Sequence, residues 1–310
     1  MMEGRGDIMA ATKIEWADRV WNPITGCSSL SEGCRNCYAK RMAYRLKGRY
    51  GYPKDDPFKV TFHPDRLEEP LHWKKPSQIF VCSMGDLFHG DVKFDWQLQT
   101  WLAIEHNPRH TFMILTKRPE KMKKFFGFLF RDPVEKTGLR QPFNLYLGVS
   151  VENQQTADER IPILLQIPAA KRFVSVEPML GPVDLGKLSD PNISWIIVGG
   201  ETGAGARPLH LDWIRSLVEQ CQAAGVPFFF KSWGEWEKSG HDSTHLLNAD
   251  GRFVKRSEAM LRISDTRQDD LVDRGHLGWI RMKKVGKKRS GRLLDGKIWD
   301  EMPVCSKDFP

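Results

Sequence analysis

No run of eighteen apolar residues occurs in the chain, so the sequence offers no membrane-spanning helix. Its first ten residues, MMEGRGDIMA, lack the apolar stretch of a secretory signal, and a cytosolic protein with no membrane association is expected. Residues 1–11 read as a flexible leader. Cysteine is scarce and uneven: Cys27, Cys34 and Cys37 cluster, while Cys82, Cys221 and Cys305 are scattered. That pattern does not suit a disulfide framework. A clustered odd number of thiols in a reducing compartment points instead to a metal or cluster site. The charge balance lacks acid, with 47 Lys and Arg against 39 Asp and Glu, a net +8 and a pI near 9.1. Such a balance favours an anionic partner such as nucleic acid and says nothing about fold.

With 310 residues and 40% hydrophobic content the chain can bury a full core, and one α/β barrel with a small appendage fits that length. Seven apolar segments bounded by turn residues read as strands: 20–25, 78–83, 111–116, 144–151, 172–177, 194–200 and 226–231. Several are continuously apolar, as strands covered on both faces are. Helical patterns alternate with them. Asp95 is placed to cap a helix carrying Leu98, Trp101, Leu102 and Glu105, and Pro119 suits the first position of a helix through Met122 and Phe126. Residues 211–224 put Leu211, Ile214, Leu217, Val218 and Cys221 on one face, and Gly225 stands where that helix would stop. The alternation implies a parallel sheet, either a partial barrel or an open doubly wound sheet, with ligands at the carboxyl ends of the strands. From residue 236 the sequence turns polar and then basic, RMKKVGKKRSGR at 281–292, and reads as a C-terminal extension over 236–310. It is either a solvated loop closed by Trp299 packing on the barrel or a nucleic-acid contact surface.

The strongest local signal is the loop from Cys27 through Cys34 to Cys37, after the first strand and before a helix carrying Tyr38, Met42 and Leu46. Three thiolates can hold three irons of a cubane and leave the fourth open. Structural zinc asks for four ligands, and the closest histidines, His63 and His72, are distant in sequence. Both metals stay open on spacing alone. A second constellation lies at the strand ends: Ser83 and Asp86 after the second, Lys117 and Arg118 after the third, Ser150 and Glu152 after the fourth. Glu177, Glu201 and Lys231 follow at the fifth, sixth and seventh, and Asp86, Glu177 and Glu201 are candidate acid and base groups. The GGETGAG loop at 199–205 matches neither nucleotide fingerprint and reads as a tight turn with Glu201 facing a ligand.

These residues resemble the three-cysteine, radical-SAM-like proteins of phages and prophages, a domain of unknown function. The likeness lies in WNPITGC (21–27), CRNCYA (34–39), SMGDLFH (83–89), LTKRP (115–119), GVSVEN (148–153), SVEP (175–178), FKSWG (230–234) and GRLLDGKIWDEMP (291–303). It implies a partial (β/α) barrel of six or seven parallel strands over 12–235, with the basic appendage belonging to the family. That family is in turn similar to spore photoproduct lyase, a radical enzyme acting on DNA. The resemblance implies a 4Fe-4S cluster on Cys27, Cys34 and Cys37 and S-adenosyl-L-methionine bound by Ser83, Asp86, Lys117, Ser150 and Glu152. It also implies an external electron donor, a 5'-deoxyadenosyl radical, and a nucleic-acid base or nucleotide as substrate; a partner protein and the oligomeric state stay open. Cys82 stands where the lyase has a hydrogen-donating cysteine, although alternation along a strand also allows a buried structural thiol. Two departures stand out. Six residues separate the first two cysteines where the usual loop has three, and Asn36 takes the place of an aromatic, with Tyr38 following.

Overall fold

The structure, a computed structural model, describes residues 12, 14–131, 143–186, 193–239, 245–255 and 279–303. The expected leader at 1–11 and Cys305 lie outside the described residues. The strands are β1 (Arg19–Trp21), β2 (Ile24–Thr25), β3 (Thr61–Phe62), β4 (Gln78–Val81), β5 (Thr111–Thr116), β6 (Leu145–Val151), β7 (Lys171–Val176), β8 (Trp195–Gly199) and β9 (Phe228–Ser232). After them come β10 (Trp236–Lys238), β11 (His245–Asn248), β12 (Phe253–Lys255) and β13 (Trp279–Lys284). Helices are α1 (Tyr38–Arg45), α2 (Glu69–His72), α3 (Phe94–Glu105), α4 (Pro119–Leu129), α5 (Gln154–Leu165), α6 (Leu211–Ala224) and α7 (Lys287–Ser290).

Each of the seven expected segments gives a strand to one parallel sheet in the order β1-β4-β5-β6-β7-β8-β9, the α/β partial barrel expected, but the first segment, 20–25, splits, and β2 leaves the sheet to pair antiparallel with β3. Every residue of β6 and of β8 is buried, which is why those segments read as unbroken apolar runs rather than alternating ones. No described helix is long and apolar enough to cross a membrane.

The chain divides into two compact units, Met1–Ser150 with Glu159–Ser175 and Asn192–Ser194, and Val151–Asp158 with Val176–Pro191 and Trp195–Pro310. In the first unit Trp21 is fully buried against the edge of Phe112, and its Nε1 donates to the Arg66 carbonyl at 2.7 Å. Gly148 in β6 lies so close to Phe173 that a Cβ would sit 2.5 Å from that ring, hence the glycine in the GVSVEN segment. Pro119 opens α4 as expected, since its missing N–H costs nothing there. Asp95 does not cap α3. Lys93 holds the cap position, while Asp95 lies in the first turn and accepts from the Gln99 side chain at 2.7 Å.

In the second unit α6 is capped by His210, whose Nδ1 accepts the Asp212 N–H, and is stopped by Gly225, left-handed at φ 66°. The segment after 236 is not featureless: β10-β13-β11-β12 make an antiparallel sheet over a small core of Ala206, Trp236, Leu247 and Met282. Trp299 packs edge-on against Phe228 at 5.8 Å, and its carbonyl accepts the Phe230 N–H at 2.9 Å.

Candidate functional site: a three-thiol loop

The cysteine loop leaves β2 at Gly26, which has φ +87° and a virtual Cβ only 2.2 Å from the Lys59 carbonyl oxygen, so no other residue fits. The Gly26 N–H donates to the Met84 carbonyl and Gly26 pairs with Gly85, which ties the start of the loop to the end of β4. A short 3-10 turn over Glu32–Cys34 follows, and Cys37 caps α1, its Sγ accepting the Lys40 N–H at 3.5 Å. Cys27 and Cys37 pack on a patch of Ala39, Ala43, Tyr52, Phe58 and Met84.

The end of β5 supplies two cations to this loop. Lys117 Nζ lies 3.7 Å from Cys34 Sγ and 3.3 Å from Ser31 Oγ. Arg118 Nη1 reaches Cys27 Sγ at 3.4 Å and Asp86 Oδ2 at 2.8 Å, while Nη2 reaches the Ser28 carbonyl at 3.0 Å and Ser28 Oγ at 3.3 Å. Asp86 is buried, and its Oδ1 accepts from Thr116 Oγ1 at 2.8 Å and from the Phe88 N–H at 2.9 Å. His89 closes the ring. Its Nδ1 accepts the Asp91 N–H, so in the neutral ring Nε2 carries the hydrogen and donates to Ser28 Oγ at 2.7 Å.

These surroundings split the thiols. Burial, then the charge of Asp86, pushes Cys27 up to about 11 despite Arg118. Cys34 also feels burial, but the Lys117 ammonium and the N–H groups of Leu30 and Ser31 outweigh it and hold this thiol below its ordinary value. Cys82 is different in kind. The strand ends one residue before it, it takes φ 55°, and burial pushes its thiol up to about 12. Alternation along β4 therefore does not set its direction.

The other expected residues fall as follows. Ser83 Oγ donates to Asn22 Oδ1 at 3.2 Å, and Asn22 also accepts the Met84 N–H. Ser150 is buried in β6, its carbonyl accepting from Arg160 Nη1 at 2.6 Å. In the second unit Glu152 is buried and bonded through its backbone to Thr156 and Leu180. Glu177 Oε1 accepts from Lys231 Nζ at 2.7 Å, both side chains being partly exposed. Glu201 does not stand open toward a ligand: it is 5% exposed, and Arg207 grips it with Nε at 2.9 Å, Nη2 at 2.8 Å and its backbone N–H at 2.8 Å. Sequence reading missed the parts played by Arg118, Ser28, Ser31, His89 and Arg207. For Arg118, its place after Lys117 at a strand end was the available signal.

Among the described residues no three His, Cys, Asp or Glu side chains gather closely enough to hold one metal ion. A single zinc needs every ligand at about 2.0–2.3 Å from one centre. A cubane takes each thiolate on a different iron, so it fits sulfurs spread along a loop. The donors fit that group: three thiols, each with a cation or N–H within reach of its sulfur to offset thiolate charge.

Fold and site together define an α/β partial-barrel protein with a three-thiol loop beyond the ends of its first strands. The chain belongs to the family described as "Protein of unknown function (DUF5131)", which matches residues 11–303. No curated protein matches it. Among solved structures it is similar to spore photoproduct lyase bearing a cysteine-to-serine mutation, with a TM-score of 0.41 at 13% identity, covering 87% of this chain and 77% of that one. The lyase complexed with dinucleoside spore photoproduct aligns with a TM-score of 0.41 at 12% identity, over 86% and 76%. A double mutant with bound AdoMet and dinucleoside spore photoproduct aligns at 0.39 and 12%, over 83% and 74%.

Proposed function

We propose that this chain is a radical S-adenosylmethionine iron–sulfur enzyme that modifies or repairs a nucleic-acid base or nucleotide. The observation that carries the reading is the thiol loop: Cys27 meets Arg118, Cys34 meets Lys117, and Cys37 meets the Lys40 N–H in the first turn of α1. A bound cluster with S-adenosylmethionine on its open iron would supply one-electron cleavage of the sulfonium bond. The chain's residues have the remaining tasks. Arg118 and Lys117 offset thiolate charge, and Asp86 holds Arg118 in place. Ser83 and Ser150 are the proposed cofactor contacts. Glu177, bonded to Lys231, is the proposed acid–base group, while Arg207 holds Glu201 fixed, which suits positioning. The basic balance of the chain supports an anionic substrate.

Anaerobic purification with iron and sulfide analysis tests this, followed by incubation with reductant and S-adenosylmethionine. About four irons per chain, lost in Cys34→Ala, together with release of 5'-deoxyadenosine, is the expected result. A colourless protein with one zinc and no deoxyadenosine would refute it and promote a zinc-stabilised nucleic-acid-binding protein.

A further inference from the structure

The stretch 279–303 carries eight Lys and Arg against three Asp and Glu, a large share of the chain's net +8. Its fold concentrates that charge. The Val285 and Gly286 N–H groups donate to the Glu235 carbonyl at 2.9 and 3.1 Å, and Ser290 Oγ donates to the Gly234 carbonyl at 2.6 Å. Trp233 donates through Nε1 to the Leu293 carbonyl at 2.9 Å and through its N–H to the Gly291 carbonyl at 3.2 Å. The backbone of the turn is thus pinned from below, and Lys287, Lys288 and Arg289 are exposed on top of it. Lys284 and Lys297 flank them, each with its ammonium over a tryptophan ring, Trp236 and Trp299.

Two acids of the same unit already have partners of their own. Asp295 is occupied by Arg215 at 2.6 Å, and Glu235 spends Oε1 on the Gly203 N–H. Exposed Leu293 and Ile298 border the cations. A rigid turn that fixes adjacent cations, flanked by some apolar surface, matches a chain of regularly spaced negative charges better than it matches solvent.

We infer that Lys287, Lys288 and Arg289 form a contact surface for the phosphate backbone of a nucleic acid. This rests on the proposed function only for the choice of nucleic acid as the polyanion. Backbone contact gives binding without sequence preference and a steep dependence on salt.

The test uses the full chain, anaerobically purified, with fluorescently labelled random-sequence DNA, single-stranded and duplex in separate arms, and affinity measured from 50 to 300 mM salt. The triple change Lys287→Ala, Lys288→Ala, Arg289→Ala should lower the log–log salt slope by about 2.7 on duplex or about 2.1 on single strands, which tells the two apart. Affinity at 0.1 M salt should fall roughly 10²-fold. The change Lys47→Ala, Lys74→Ala, Lys75→Ala removes equal charge from exposed positions elsewhere and should leave the slope within about one unit. The conservative change Lys287→Arg, Lys288→Arg should keep binding.

The inference fails if the wild-type chain binds neither DNA, if the triple change leaves the slope intact, or if vesicles of anionic lipid are bound as tightly as DNA. Release of 5'-deoxyadenosine is scored separately. A chain that makes deoxyadenosine while the triple change keeps its slope loses the ridge and keeps the enzyme. A chain that binds through the ridge but makes none keeps the ridge and loses the enzyme.

Discussion

Replacing Arg118 with methionine probes the link between fold and site most directly. The Arg118 and Asp86 side chains are 13% and 7% exposed, so their 2.8 Å pair is nearly out of water. Breaking a buried pair by removing one partner costs about 3–5 kcal/mol, because a charge is left without compensation. Asp86 keeps its bonds from Thr116 and Phe88, which puts the expectation at the lower end, about 3 kcal/mol. The loss has a second part. Arg118 is also the link from the end of β5 to Cys27 Sγ and Ser28, so the loop should lose its fixed position along with its counter-charge. Urea unfolding of the apo-protein, followed by circular dichroism, reads the first part; iron content after anaerobic reconstitution reads the second. Asp86→Asn keeps the oxygen that Phe88 and Thr116 use while removing the charge, and should cost less, about 1–2 kcal/mol, with partial iron loss. If Arg118→Met unfolds within about 0.5 kcal/mol of wild type and retains its iron, the clamp is only apparent. Should that variant not fold at all, Ser28→Ala, which removes just the hydroxyl shared by Arg118 and His89, still reports on the loop through iron retention.

Two further changes test the frame around the loop. His63, buried beside Thr25, is pushed down to about 4 from 6.5, by burial first and then by Arg66, against Asp65. Between those values the unfolded chain binds a proton that the folded chain does not. Stability is therefore full above pH 6.5 and falls on acidification toward about 4, by roughly 3 kcal/mol at most. Urea midpoints measured from pH 7.5 down to 5 should show that decline and His63→Gln should flatten it; an equal decline in the variant would clear His63 of the effect. Gly148→Ala should destabilise by about 1–3 kcal/mol through overpacking on Phe173, and Phe173→Leu in the same chain should recover part of that. Additive losses in the double variant would show that the two sites do not meet.

What the sequence made legible follows from what burial does to composition. Strands such as β6 and β8 are covered on both faces, so their segments are apolar throughout and stand out without any alignment. Helix α5 left a weaker signal: it carries Pro162 inside it and lacks a strong apolar face, and it went unread. Strands β10 to β12 are three or four residues long with few fully buried positions, too short for periodicity to distinguish from a polar loop. A favoured cap residue near a helix start is not always the cap: with Lys93 rather than Asp95 at the cap, α3 begins two residues earlier than Asp95 suggests.

The site divides along the same line between local and long-range information. Cys27, Cys34 and Cys37 are legible because a thiol cluster is a local pattern, whereas the contact of Arg118 with Ser28 spans 90 positions and exists only once β5 lies beside β4. Glu201 shows the same limit at shorter range: Arg207, six residues on, folds back onto both its oxygens, a contact that the glycine pair before it does not announce.

The long first gap of the cysteine loop also acquires a physical reason. A loop with three residues between the first two cysteines cannot hold the four positions from Ser28 to Ser31. Here Ser28 receives Arg118 and His89, Leu30 gives its N–H to Cys34 at 3.5 Å, and Ser31 receives Lys117. The added length is therefore where the loop is tied to the strand ends. Shortening it would remove the partners of Arg118 and Lys117 while leaving all three cysteines in place, and the thiols alone would no longer hold the geometry that the cations now fix.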